Sequence, residues 1–178
     1  MPESNFFVNS RIEVNQLPDV EKLDFVMIER SYAKILYISN LFIFAFFLAL
    51  LIIFVILYLG ILSWLSYALL ILWMMLLIFS LWFASASVDR KSYVLRQKDI
   101  SYRTGVFFRD WITIPFSRVQ HCELSRGILE RSFGLAQLHV YTAGGSSSDI
   151  SIPGLRDDVA MQMKEFVIAK IKDIDEEE

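Results

Sequence analysis

Residues 35–88 form a run of 54 positions with no Asp, Glu, Lys or Arg. Crossing a hydrocarbon core about 30 Å thick takes about 20 apolar residues in a helix rising 1.5 Å per residue. The run is too long for one span and long enough for two. The pattern predicts spans over 35–57 and 65–85, with a turn at 58–64 where Gly60 and Ser63 are the breakers. Buried instead as a core hairpin, so many uncharged residues would need a far larger protein to cover them.

Beyond Asp89 the period changes to 2, which predicts strands. These are expected at 92–96 and 99–103, joined at Gln97-Lys98, then at 111–114, 119–125, 137–142 and 149–152, the last closed by Pro153-Gly154. Residues 128–134 read as irregular and 143–148 as a hairpin loop. A seventh strand has two candidate sources, residues 86–90 or the N-terminal segment. From Arg156 the period lengthens again. Val159, Met163, Phe166, Val167, Ile171 and Ile174 line one face of an amphipathic helix of about 17 residues. Asp157 and Asp158 in its first turn, with Lys170 and Lys172 near its end, suit the helix dipole.

Three segments follow: residues 1–34, expected on the cytoplasmic side; a transmembrane hairpin, 35–87; and a cytoplasmic domain of strands closed by one helix, 88–178, with an acidic tail. In the first, Pro18 and Asp19 would start a short amphipathic helix reaching Ile28, with Val20, Leu23 and Met27 on its apolar face. A leader without regular structure fits that stretch equally well. The apolar run begins too late, and is too long, for a secretory signal.

Charge orients the hairpin. Arg30, Lys34, Arg90, Lys91, Arg96 and Lys98 flank its open end, and the turn has no charge. The positive-inside rule then places both termini in the cytoplasm of a multi-pass protein. Tyr32, Tyr37 and Trp82 at the inner level, and Tyr58, Trp64 and Tyr67 at the outer, occupy aromatic-belt positions. With no ionisable group inside either span, a proton relay, voltage sensor or buried ion site has no support.

The whole chain carries 17 basic and 20 acidic residues, a net charge of −3, which argues against a nucleic-acid binder. Its single cysteine, Cys122, can form no internal disulfide. Charge is nevertheless polarised. Residues 90–131 hold nine basic residues against four acidic, and 149–178 hold four against nine. A basic surface near the inner leaflet would attract anionic lipid. Arg90, Lys91, Arg96, Lys98, Arg103 and Arg118 are the candidates for a lipid or partner surface, against the alternative of scattered solvated charges.

Catalytic signatures are missing. Neither a Gly-x-Ser-x-Gly elbow, a phosphate-binding Gly-x-x-x-x-Gly-Lys motif nor His-Glu-x-x-His occurs. Gly144 to Ser148 lack the following helix and lysine of a phosphate cradle. His121, Cys122 and His139 have no zinc-ligand spacing, and adjacent His121 and Cys122 face opposite ways on a strand. Glu123 and Glu130 have no mark of burial. No catalytic residue, metal or cofactor is expected.

Strands followed by one closing helix resemble the pleckstrin-homology (PH) superfold. Four segments sharpen the likeness: Tyr93-Val-Leu-Arg-Gln-Lys-Asp-Ile-Ser-Tyr-Arg-Thr-Gly105, Ile114-Pro-Phe-Ser-Arg-Val-Gln-His121, Leu129-Glu-Arg-Ser-Phe-Gly-Leu135, and Tyr141-Thr-Ala-Gly-Gly-Ser146 with Ile152-Pro-Gly-Leu155. In order, they resemble the bacterial PH-domain membrane proteins of the YdbS type, over roughly residues 35–172. The resemblance implies a PH-like fold of six or seven antiparallel strands behind a two-helix hairpin in the bacterial cytoplasmic membrane. With the missing catalytic signatures, the expected function is a non-catalytic module that assembles as a homo-oligomer or with a larger PH-domain membrane protein; the resemblance implies a setting in envelope stress or resistance to membrane-active compounds. An anionic-lipid-binding module is the alternative. A lipid- or envelope-processing enzyme or small transporter would need a convergent polar set that the sequence lacks.

Overall fold

A computed structural model describes residues 24–61, 63–145 and 149–177. Its elements are β1 (Val26–Met27), α1 (Ser31–Phe54), α2 (Trp64–Asp89), β2 (Ser92–Leu95), β3 (Asp99–Thr104), β4 (Asp110–Pro115), β5 (Val119–Ser125), α3 (Ile128–Ser132), β6 (Leu135–Thr142), β7 (Ile150–Arg156) and α4 (Asp157–Glu177). α1 continues through a wider π turn, Val55–Leu59, to Gly60.

The apolar run folds as the expected helical hairpin. Helices Ser31–Leu59 and Trp64–Asp89 are each long and apolar enough to cross a membrane, and only 6% of the most apolar window of either is buried within the chain. A core helix of a soluble protein would be mostly covered. In the turn, the Gly60 N–H donates to the Val55 carbonyl at 2.9 Å, and the buried Ser66 hydroxyl donates to the Gly60 carbonyl at 2.9 Å. Backbone freed by the turn thus finds partners without water, as an apolar setting demands.

The rest is a PH-like fold. Strands β1-β2-β3-β4 form one antiparallel sheet and β5-β6-β7 a second. Alternation sends Ile100, Tyr102 and Ile114 inward from the first sheet, and Leu138, Val140, Ile150 and Ile152 from the second. α4 closes this core with Ala160, Met163 and Val167 buried, while Val159, Phe166, Ile171 and Ile174 pack around them. The Phe166 ring meets Phe116 edge-on at 6.0 Å.

Of the two sources left open for the seventh strand, the N-terminal side supplies it: Val26 pairs with Tyr93 and Met27 with Ser92. Other expectations need correction. Residues 26–27 are therefore strand, where the end of an amphipathic helix was one expectation; residues 17–23 of that helix lie outside the described residues. β7 does not stop at Pro153-Gly154 but continues to Arg156. The register shifts between Ala136 and Leu138 opposite this point, and β7 is an edge strand, where a proline removes no ladder bond. Residues 128–132 are a helical turn, with the Glu130 carboxylate accepting from the Gly127 N–H at 2.7 Å.

β1 before the hairpin and β2 after it belong to one sheet, so the hairpin is an insertion between the first two strands of the PH-like fold. The joint bonds to both sheets. The Ile28 N–H donates to the Lys91 carbonyl at 3.3 Å, and the Glu29 N–H donates to the Gly154 carbonyl at 2.9 Å.

Candidate membrane-facing site

The sequence-predicted basic residues do not share one surface. Arg90 and Lys91 follow α2 directly, and Arg103 pairs across strands with Ser92. These three lie at the hairpin end of the first sheet. Arg96 and Lys98 lie at the β2–β3 turn, roughly 13 Å further along at about 3.3 Å per residue. There the Arg96 guanidinium pairs with Asp99 at 2.6 Å. Arg118 lines a separate cavity with Pro115, Thr142 and Gly144.

At the hairpin end each cation has a distinct setting. The Lys91 ammonium lies 5.4 Å above the Tyr32 ring, and burial lowers its pKa. Arg103 sits between two aromatic faces, 4.4 Å from Phe25 and 4.6 Å from Trp111. Phe25 precedes the hairpin and Trp111 follows it, and their rings meet edge-on at 5.4 Å. Stacked guanidinium groups keep their N–H edges free for other acceptors.

Arg90 and Arg103 share a cavity of about 210 Å³ with a third arginine, Arg109, and with Asp89, Ser92 and Thr104. Sequence reasoning passed over Arg109 because it lies in the β3–β4 connection. So do Phe107 and Phe108, both exposed. The loop is folded back at Gly105, whose φ is 103° and where a Cβ would run into the Phe108 carbonyl. Phe107 stacks on Phe83 of α2 at 6.0 Å. Two adjacent phenylalanines in a short connection between strands were the available signal.

The second sheet carries a polar cluster that sequence reasoning also missed. Ser125 Oγ lies 2.9 Å from His139 Nε2, and Ser151 Oγ lies 2.5 Å from His139 Nδ1. His121 stacks on Tyr141 at 4.4 Å. These side chains alternate outward on neighbouring strands, which spacing within one strand could not reveal. Cys122 faces away from His121, as strand alternation implied, and it is the one turned inward: it is buried, its thiol donates to the Lys164 carbonyl at 3.8 Å, and burial pushes its pKa up. Among the described residues no group of three His, Cys, Asp or Glu side chains is placed to hold a metal ion.

Comparison with known proteins agrees with this architecture. A family model described as bacterial PH domain matches residues 23–171, hairpin included. The chain is 28% identical over 85 residues to the UPF0699 transmembrane protein YdbS of Bacillus subtilis (strain 168). That stretch covers 47% of this chain and 52% of the relative, so the match spans about half the relative's length. No solved structure matches.

Proposed function

Because the chain belongs to the bacterial PH-domain family, we propose that it is a non-catalytic PH module fixed beneath its own membrane hairpin, which assembles with other membrane proteins. The observation that carries this reading is the insertion of the hairpin between β1 and β2. Strand pairing and the Ile28 and Glu29 backbone bonds make anchor and domain one unit, so a partner bound to one is held against the other. The uncovered helices leave apolar surface for partner helices, including a groove of about 520 Å³ bordered by Tyr37, Leu41, Leu81 and Trp82. β4 adds an open strand edge on the domain.

Six basic residues on the open side of the hairpin support a cytoplasmic position for both flanks and the domain, in a two-span protein of the bacterial cytoplasmic membrane. The partner is a second copy or a larger PH-domain membrane protein, and the setting is envelope stress or resistance to membrane-active compounds. Both follow from the likeness to YdbS-type proteins. A non-catalytic role is supported by His139, the best-placed base: its two nitrogens face the Ser125 and Ser151 hydroxyls, and among the described residues no carboxylate hydrogen-bonds to either, as a catalytic serine–histidine pair requires.

Photo-crosslinkers placed at Leu41 and Trp82 test the assembly. In native membranes they should give discrete higher bands, identified by mass spectrometry as this chain or a larger PH-domain protein. A chain that stays monomeric from both positions, with that protein co-expressed, would refute the proposal.

A further inference from the structure

We infer that the cavity between Arg90, Arg103 and Arg109 binds the phosphate of an anionic phospholipid from the inner leaflet, with the Phe107–Phe108 loop embedded beside it. This goes beyond the assembly reading and rests on its topology alone: a hairpin that spans the membrane with the domain on the inner side.

Depth carries the argument. Counted from Trp64, about 20 residues of helix span the hydrocarbon core, which puts its inner boundary near Ala84. Phe83 lies at that boundary, and Phe107 is stacked on it. The loop therefore reaches the acyl region, although β3 and β4 are strands of the PH-like domain. Phe108, 86% exposed, has no protein cover there. Ile128, 89% exposed, opens α3, which packs on α1. Those are the two most exposed large apolar residues outside the hairpin among the described residues, and both belong to elements packed on its helices.

Arg90 follows α2 directly, about 10 Å below Phe83 at 1.5 Å per residue, from where its long side chain reaches the headgroup layer. Among the described residues, none of the three arginines has an ion-pair partner. A phosphate entering the cavity meets three guanidinium groups and one carboxylate, Asp89, with the hydroxyls of Ser92 and Thr104 beside them. Planar guanidinium groups match phosphate oxygens in pairs, and the low-dielectric boundary strengthens each bond.

Full-length protein in nanodiscs of equal phosphatidylglycerol and phosphatidylcholine, released for native mass spectrometry, tests the site. Phosphatidylglycerol should be retained selectively. Arg90→Gln with Arg109→Gln, both exposed positions, should weaken that retention about 25-fold, at about fivefold per basic residue close to an anionic surface. Lys98→Gln with Arg118→Gln should leave it unchanged. Equal retention of both lipids by the parent protein would overturn the inference, as would equal losses in the two double variants. Displacement of the lipid by inorganic phosphate would reassign the site to a free anion and overturn it too.

Discussion

Side chains at the joint between hairpin and domain are packed tightly enough to shift their ionisation. Burial raises the Tyr102 phenol to about 12, with the nearby Tyr32 adding to the shift and a Thr104 hydrogen bond opposing it. Burial, helped by Glu29, also raises Tyr93. A phenol whose folded pKa lies above its unfolded value of 10.0 stabilises the fold fully below pH 10. That contribution disappears as pH rises from 10 toward 12. Lys91 runs the other way: its lowered pKa means that stability rises with pH until the unfolded value of 10.5 is passed. Alkaline unfolding should therefore fall between about pH 10 and 12, driven by the tyrosines. Followed by near-UV circular dichroism in detergent, Tyr102→Phe should raise its midpoint. An unchanged midpoint would show that another group governs the transition.

Elements differ in how far the sequence reveals them, and the reason is the range of the contacts that define each. The hairpin rests on a long uncharged run, α4 on local helical periodicity, and β2, β3, β5 and β6 on short local stretches of strand period, so all were legible. Strand β1 was legible only as one of two candidate sources, without its position, because two residues acquire strand character only by meeting Tyr93 and Ser92 across the inserted hairpin. The end of β7 was misread because Pro153-Gly154 is a local stop signal, overridden here by the register shift opposite it. The basic site was half legible: Arg90 and Arg103 stand out as charges, but their union with Arg109 depends on how the β3–β4 loop folds back. Gly154 shows the same long-range dependence. Its φ is 66°, and a Cβ there would lie 2.8 Å from the Tyr32 Cβ at the base of α1. Gly154→Ala should cost about 2–4 kcal/mol, combining left-handed strain with overpacking. Gly134→Ala, with a similar φ and open space around it, should cost only the strain. Thermal melts of the two variants in one detergent would test this, and equal losses would mean that the Tyr32 contact contributes nothing.

At the scale of the whole molecule, insertion of the hairpin makes topology a single decision. β1 leads into α1 and β2 leaves α2, and the two strands are hydrogen-bonded neighbours, so both must lie on the same side of the membrane. The domain cannot be translocated apart from the residues that precede the hairpin. Charge then selects the side: Arg30, Lys34, Arg90 and Lys91 cluster where the strands meet, while the described turn residues near Gly60 and Ile61 carry none. Single cysteines can read the outcome in a Cys122→Ser background. Ile61 is exposed in the turn, and Ser117 is exposed on the domain between β4 and β5. On intact cells a membrane-impermeant maleimide should label Ile61→Cys and leave Ser117→Cys untouched until lysis. Labelling of Ser117→Cys before lysis would invert the protein. It would also remove the inner-leaflet phospholipid from reach of Arg90, Arg103 and Arg109.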